Sequence, residues 1–210
     1  MAGSAAVLED GSALSRLERA LYRLEQVFGV ISGLAVLALM LLAVFSVGGR
    51  HFFNAPLPGY VDWIQLAMPL IAFLGISYAQ RDGGHIRMDI LIGRLHGRPL
   101  WAAEFLTTLA TLLLIALLIW GSWAHFGRSF DWDAPNWSRD STIDIGLPIW
   151  PAKIIVPIAF GVMAARLVLQ LWGYVRALVH GGDRPIGVPL MKSAAELAAE
   201  EAEHVSGLDR

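Results

Sequence analysis

The chain has 210 residues, 56% hydrophobic and only 16% charged, against roughly one quarter charged in a soluble domain. A net charge of −2 carries no nucleic-acid signature, and the absence of cysteine excludes disulfides, thiolate metal sites and cysteine nucleophiles. In chain order, residues 1–26 are polar and mixed in charge, and the apolar run after them is too long for a cleaved leader. That run is read as a retained first span. Four such stretches recur, Val27–Val47, Tyr60–Ala79, Trp101–Trp123 and Ile149–Val175, of 21, 20, 23 and 27 residues. A hydrocarbon core of about 30 Å needs about 20 helical residues, so each is long enough to cross. The predicted fold is an all-α integral membrane protein with four transmembrane helices over residues 27–178, a cytoplasmic N-terminal segment 1–26 and a cytoplasmic tail 179–210.

Orientation follows from the basic residues, which are retained on the cytoplasmic side. Arg16, Arg19 and Arg23 precede the first span, Arg81, Arg87, Arg94 and Arg98 fill the second loop, and Arg176, Arg184, Lys192 and Arg210 follow the last span. The opposite side has Arg50, Arg128 and Arg139, with Lys153 just inside the fourth span. Both termini are therefore expected inside. Tryptophans mark the boundaries: Trp63 and Trp101 open spans, Trp120 and Trp123 close the third, and Trp150 and Trp172 bracket the fourth. Their amphipathic rings favour the headgroup level.

Within the spans, Gly29 with Gly33 and Gly161 with Ala165 form small-xxx-small pairs that allow close helix approach. Pro69 and Pro157 each remove a helix hydrogen bond and bend their helices. Glu104 and Lys153 stand within a turn of the interface and are expected to snorkel to water. Arg166 lies deeper, with a reach that suits the interface, a lipid phosphate or a partner's carboxylate, and Gln65 can hydrogen-bond a neighbouring helix. Between spans two and three, His85–Arg98 sets Met88, Leu91, Ile92 and Leu95 on one helical face and Arg87, Arg94 and Arg98 on another. That predicts a short amphipathic interfacial helix on the inner leaflet.

A chain that moves an ion or polar solute by itself usually keeps ionisable groups near the midplane. None is evident here, which points to a helper subunit. His51, His85, His96 and His125 fall at span ends or in loops, and His180 and His204 in the tail, whereas haem ligation in a bundle needs facing histidines inside it. No catalytic constellation or metal-ligand set stands out. A haem-type redox or anchor subunit and an autonomous homo-oligomeric transporter are the alternatives, and a membrane-bound enzyme has least support.

The first span ends in Arg50-His-Phe-Phe-Asn54-Ala-Pro56, followed by Gly59-Tyr-Val-Asp62-Trp, and the second runs through Phe73-Leu-Gly75 into Asp82-Gly-Gly-His85-Ile-Arg87-Met-Asp89-Ile-Leu91. In order and spacing these segments, with Pro148-x-Trp150 at the last helix, resemble the small, Q-type membrane subunit of tripartite ATP-independent periplasmic (TRAP) transporters over roughly Leu21–Leu178. Asp62 stands where that family more often carries glutamate. The resemblance implies a bacterial inner-membrane protein with no cofactor of its own. It would support a large translocating subunit that carries the sodium coupling, and help dock a periplasmic binding protein during uptake of an organic acid or similar solute. It further implies that Arg50, Asn54 and Asp62 organise the outer turn and His85, Arg87 and Asp89 the inner one, either by capping within this chain or by contact with the large subunit. Membrane lipids are the remaining expected partner, and nucleic acid is not one.

The third loop, Ala124–Leu147, sets Asp131, Asp133, Asp140 and Asp144 beside Phe130, Trp132 and Trp137. Four carboxylates against Arg128 and Arg139 predict a negative patch suited to steering a soluble partner, with the aromatics supplying contact area. The competing reading rests the tryptophans on the outer leaflet and leaves the aspartates solvated.

Overall fold

A computed structural model of the chain describes residues 13–55, 57–81 and 98–180. Its elements are α1 (Ala13–Phe53), α2 (Tyr60–Phe73), α3 (Ile76–Arg81), α4 (Arg98–Ser129) and α5 (Trp150–His180), with one 3-10 turn at Pro135–Trp137. Four helical segments, Leu14–Phe53, Tyr60–Gln80, Pro99–Ser129 and Trp150–Val179, are long and apolar enough to cross a membrane. The predicted all-α, four-span fold is therefore observed. The amphipathic helix expected at His85–Arg98 lies almost wholly outside the described residues, as does the tail.

The first helix begins well before its apolar run. Ala13–Gln26 is rich in Ala, Leu, Arg and Glu, all strong helix formers, and nothing separates it from Val27. At 1.5 Å per residue the 41-residue helix is about 60 Å long, so it overhangs a bilayer by several turns. Its end is sharply built. Asn54 adopts the left-handed conformation (φ 51°), and the Ala55 amide returns to donate to the Gly49 carbonyl at 3.2 Å. A Cβ at Gly49 would stand 2.7 Å from the Ala55 oxygen, so the return requires glycine there.

The second span is two helices rather than one bent one. Pro69 stands inside α2, which stops at Phe73, and α3 resumes after Leu74–Gly75. Near the break, the Ser32 hydroxyl of α1 donates to the Ile71 carbonyl at 3.3 Å. Pro157, by contrast, is accommodated within an uninterrupted α5.

Helix α5 is the hub. It packs most extensively along α4 and also meets α2, α3 and α1. Its apolar window is the most enclosed of the four, whereas that of α1 has no buried residue. Ile115 from α4 meets Phe160, Met163 and Leu167 from α5 at the core, flanked by Phe73, whose ring meets Phe160 edge-on at 5.3 Å. The expected small-residue contacts are not made within the chain: a Cβ at Gly29, Gly33 or Gly161 would meet nothing within 4 Å. Those positions are on outward faces because α1 is covered along one side only, and α5 turns Gly161 and Ala165 outward.

Candidate functional site

Two constellations of polar side chains organise the bundle, one at the start of α5 and one from its middle onward. At the end where α4 stops and α5 starts, the connecting loop folds back on itself through isolated antiparallel bridges, Phe130 with Ser138 and Ser141 with Pro148. The Leu147 amide donates to Thr142 Oγ1 at 2.8 Å, closing a tight turn around Gly146, whose φ is +66°. Asp62, from the first turn of α2, reaches across to this turn: its carboxylate accepts the amides of Asp144 at 3.1 Å and Ile145 at 2.8 Å. Two amide donors on one carboxylate are charge-assisted bonds, stronger than neutral ones. Asp62 is 2% exposed, so the bonds are shielded from competing water. Gly59 makes room for the docking: at φ +69° a side chain is strained, and its Cβ would strike the Ile145 side chain.

The same loop is pinned from below. Lys153 of α5 donates to the Asp140 carboxylate at 2.8 Å and to the Ser129 hydroxyl, and Ser129 in turn donates to Asp140 at 2.5 Å. The Lys153 ammonium and the Ser129 hydroxyl together hold the Asp140 carboxyl below the ordinary carboxylate value. Arg139 does the same for Asp131, at 2.9 Å, helped by the amide of Asp133. The aromatic residues close a ring of four, Phe130–Trp132–Trp137–Trp150, with centroids 4.8 to 6.3 Å apart around the circuit. Trp150 is locked by donation of its indole N–H to the Asn136 carbonyl at 3.0 Å. What faces outward from this platform is Trp132, 74% exposed, Trp137, and Ile143, 95% exposed.

This geometry revises the electrostatics read from the sequence. Asp131 and Asp140 are spent on Arg139 and Lys153, so the four-to-two count overstates the negative charge on offer. Asp133 and Asp144 remain exposed, and their carboxylates make no hydrogen bond or ion pair among the described residues. Lys153 does not snorkel to water as expected, because a carboxylate stands within its reach.

Toward the other end the bundle holds charge where none was expected. Arg166, 1% exposed, grips Glu25 of α1 through two bonds, Nε to Oε1 at 2.9 Å and Nη2 to Oε2 at 2.5 Å, and Glu18 through Nη1 at 3.2 Å. Ser77 of α3 adds a hydroxyl to Glu25 at 2.5 Å. One turn further along α5, Gln170 accepts from Gln80 of α3 at 3.2 Å, and one turn beyond that Tyr174 donates to Glu104 of α4 at 3.1 Å. Arg166 therefore reaches neither lipid phosphate nor a separate partner, and Glu104 does not snorkel. Their counter-groups are in this chain.

These residues escaped sequence reasoning because Glu18 and Glu25 precede the apolar run and read as part of a solvated segment. A signal existed: Leu14, Glu18 and Glu25 are spaced by four and seven, which stacks them on one helical face. A lone arginine deep in an apolar stretch demands an acid on some such face.

Of the other predicted residues, Arg50 and Asn54 sit exposed at the end of α1, Asn54 as the left-handed residue that turns the chain. His85, Arg87 and Asp89 lie outside the described residues. Gln65 is exposed and His51 and His125 stand at exposed helix ends. Among the described residues no group of three or more His, Cys, Asp or Glu is placed to hold a metal. The arrangement is built to hold shape: a fixed platform at one end, an ionic brace toward the other, and uncovered apolar helix faces between.

A protein-family model described as "Tripartite ATP-independent periplasmic transporters, DctQ component" matches residues 39–177. No curated protein matches the chain in sequence.

Proposed function

The chain belongs to the DctQ component of the tripartite ATP-independent periplasmic transporters, and from that premise we propose how it serves such a system. It is a multi-pass membrane protein and a transporter component rather than an enzyme. In our reading it is the small scaffold subunit in a bacterial inner membrane, with both termini cytoplasmic. It supports the large translocating subunit and helps seat the periplasmic binding protein during sodium-coupled uptake of an organic acid or similar solute.

The observation that carries this reading is the bonding that ties the α4–α5 platform to α2 and α5. A loop of some twenty residues without regular structure would ordinarily be mobile. Here Asp62, Lys153 and the Trp150 indole tie it to α2 and α5, and the ring of aromatics fixes its upper face. Pre-organisation reduces the ordering cost of binding, and exposed Trp132, Trp137 and Ile143 supply apolar contact area. Asp133 and Asp144 supply the charge that steers a soluble partner.

Substituting Asp133→Lys together with Asp144→Lys leaves the bracing pairs intact. It should raise the binding-protein concentration needed for half-maximal uptake, most at low ionic strength, without loss of the membrane complex. An unchanged dependence on binding protein at every salt concentration would remove the docking role.

A further inference from the structure

Near the arginine-bearing start of α1 the bundle leaves a groove of about 960 Å³, lined by Arg23, Gln26, Gly29, Val30, Ile31 and Tyr78 among others. The geometry points to a seat for one anionic glycerophospholipid, its phosphate at Arg23 and an acyl chain in the slot over Gly29. Three features select that occupant.

The first is the order of polarity along the helix. Arg23 comes first, Gln26 stands one turn deeper, about 4.5 Å on, and beyond it the lining is Val27, Val30 and Ile31. Cation, amide, then hydrocarbon is the sequence in which a phospholipid presents phosphate, ester carbonyl and chain. A free phosphate ion has no use for the apolar slot.

The second is position. Arg16 and Arg23 are seven residues apart on α1, hence on nearly the same azimuth, and both are exposed. Immediately after them the outward residues of α1 become aliphatic, with Val27, Val30, Leu34 and Leu37 all more than half or about half exposed. The groove therefore straddles the change from polar to apolar that a leaflet's headgroup boundary requires.

The third is the notch. A Cβ at Gly29 would meet nothing within 4 Å, so the space over this lining residue is open to a chain. Its far wall is Tyr78 of α3, stacked on Tyr22 at 6.3 Å between centroids. That wall is positioned by α3, which Ser77 anchors to Glu25.

The full-length chain, purified in detergent, is titrated with phosphatidylglycerol or phosphatidylcholine of matched chains, and bound lipid is counted by native mass spectrometry. One phosphatidylglycerol should bind, about fivefold tighter than phosphatidylcholine, as one arginine near an anionic headgroup provides. Arg23→Gln should abolish that preference, with phosphatidylglycerol losing more affinity than phosphatidylcholine. Gly29→Leu should fill the slot and prevent retention of either lipid, while the thermal midpoint holds or rises, since leucine favours helix over glycine. Equal binding of the two lipids by the unaltered chain, or retention of phosphatidylglycerol by Gly29→Leu, would overturn the assignment. So would a Gly29→Leu variant that keeps its lipid but no longer assembles with the large subunit, because the groove would then seat protein.

Discussion

Replacing Arg166 by methionine removes the cation that joins α5 to α1 while keeping a side chain of similar bulk. Three charge-assisted bonds are lost at once, two to Glu25 and one to Glu18. More costly is what stays behind: two carboxylates with side chains no more than 1% exposed and no guanidinium between them. Removing one partner of a buried ion pair typically costs about 3–5 kcal/mol, or roughly two to three and a half powers of ten in the unfolding constant. Unfolding of the purified chain in detergent, followed by tryptophan fluorescence as sodium dodecyl sulfate is titrated in, measures the difference. Arg166→Lys should recover only part of it, because an ammonium cannot reproduce the two-pronged grip on Glu25. The triple change Arg166→Met, Glu18→Leu, Glu25→Leu should recover most of it, since an apolar replacement of the whole cluster leaves no charge stranded. A loss under about 1 kcal/mol in the single variant, or a triple variant as unstable as the single, would show that the cluster is not a closed brace.

Two further outcomes concern the platform. Gly59→Ala should cost about 1–3 kcal/mol, because alanine must take φ +69° and its Cβ strikes Ile145; adding Ile145→Ala should return the steric part and leave the backbone part, read by the same titration. The pH response follows from Asp131 and Asp140, whose carboxyls are both held below 3.8. A lowered folded-state value gives stability that is present above the unfolded value and is lost as pH falls through the folded one. Hydrogen-exchange protection across residues 130–149, taken relative to the intrinsic exchange rate at each pH, should therefore stay level from neutral pH down to about 4 and fall only below it, and a loss of protection between pH 5 and 7 would contradict the assigned pairs.

The spans were legible because twenty apolar residues in a row have few other uses; tryptophans marked ends of the later three, while the first, which has none, begins at Ala13, 14 residues before its apolar run at Val27. The resemblance to the TRAP small subunit singles out Asp62 and Asn54, yet their physical work appears only in three dimensions. The partner of Asp62 is a pair of backbone amides more than eighty residues away, and amides carry no sequence mark. Asn54 shows what its type allows, a left-handed turn residue. The buried cluster was hidden for a different reason. Local hydropathy assigns Glu18 and Glu25 to water, and only the tertiary approach of α5 gives them Arg166. The break in the second span is not the one Pro69 signals: a proline disturbs the turn before it, whereas α2 runs on through Pro69 to Phe73 and the chain breaks at Leu74–Gly75, after which α3 turns Ser77 and Gln80 inward.

The buried charges also change the argument for a helper subunit. Arg166 is bonded to Glu25 and Glu18 of its own chain, and all three are shielded from solvent, which suits a brace better than an ion path. Reconstitution tests that directly. Liposomes carrying this chain alone, given a sodium gradient and the cognate binding protein with its solute, should show no uptake above empty vesicles. Adding the large membrane subunit should restore uptake that depends on the binding protein. Sodium-dependent uptake by the chain alone would contradict the account.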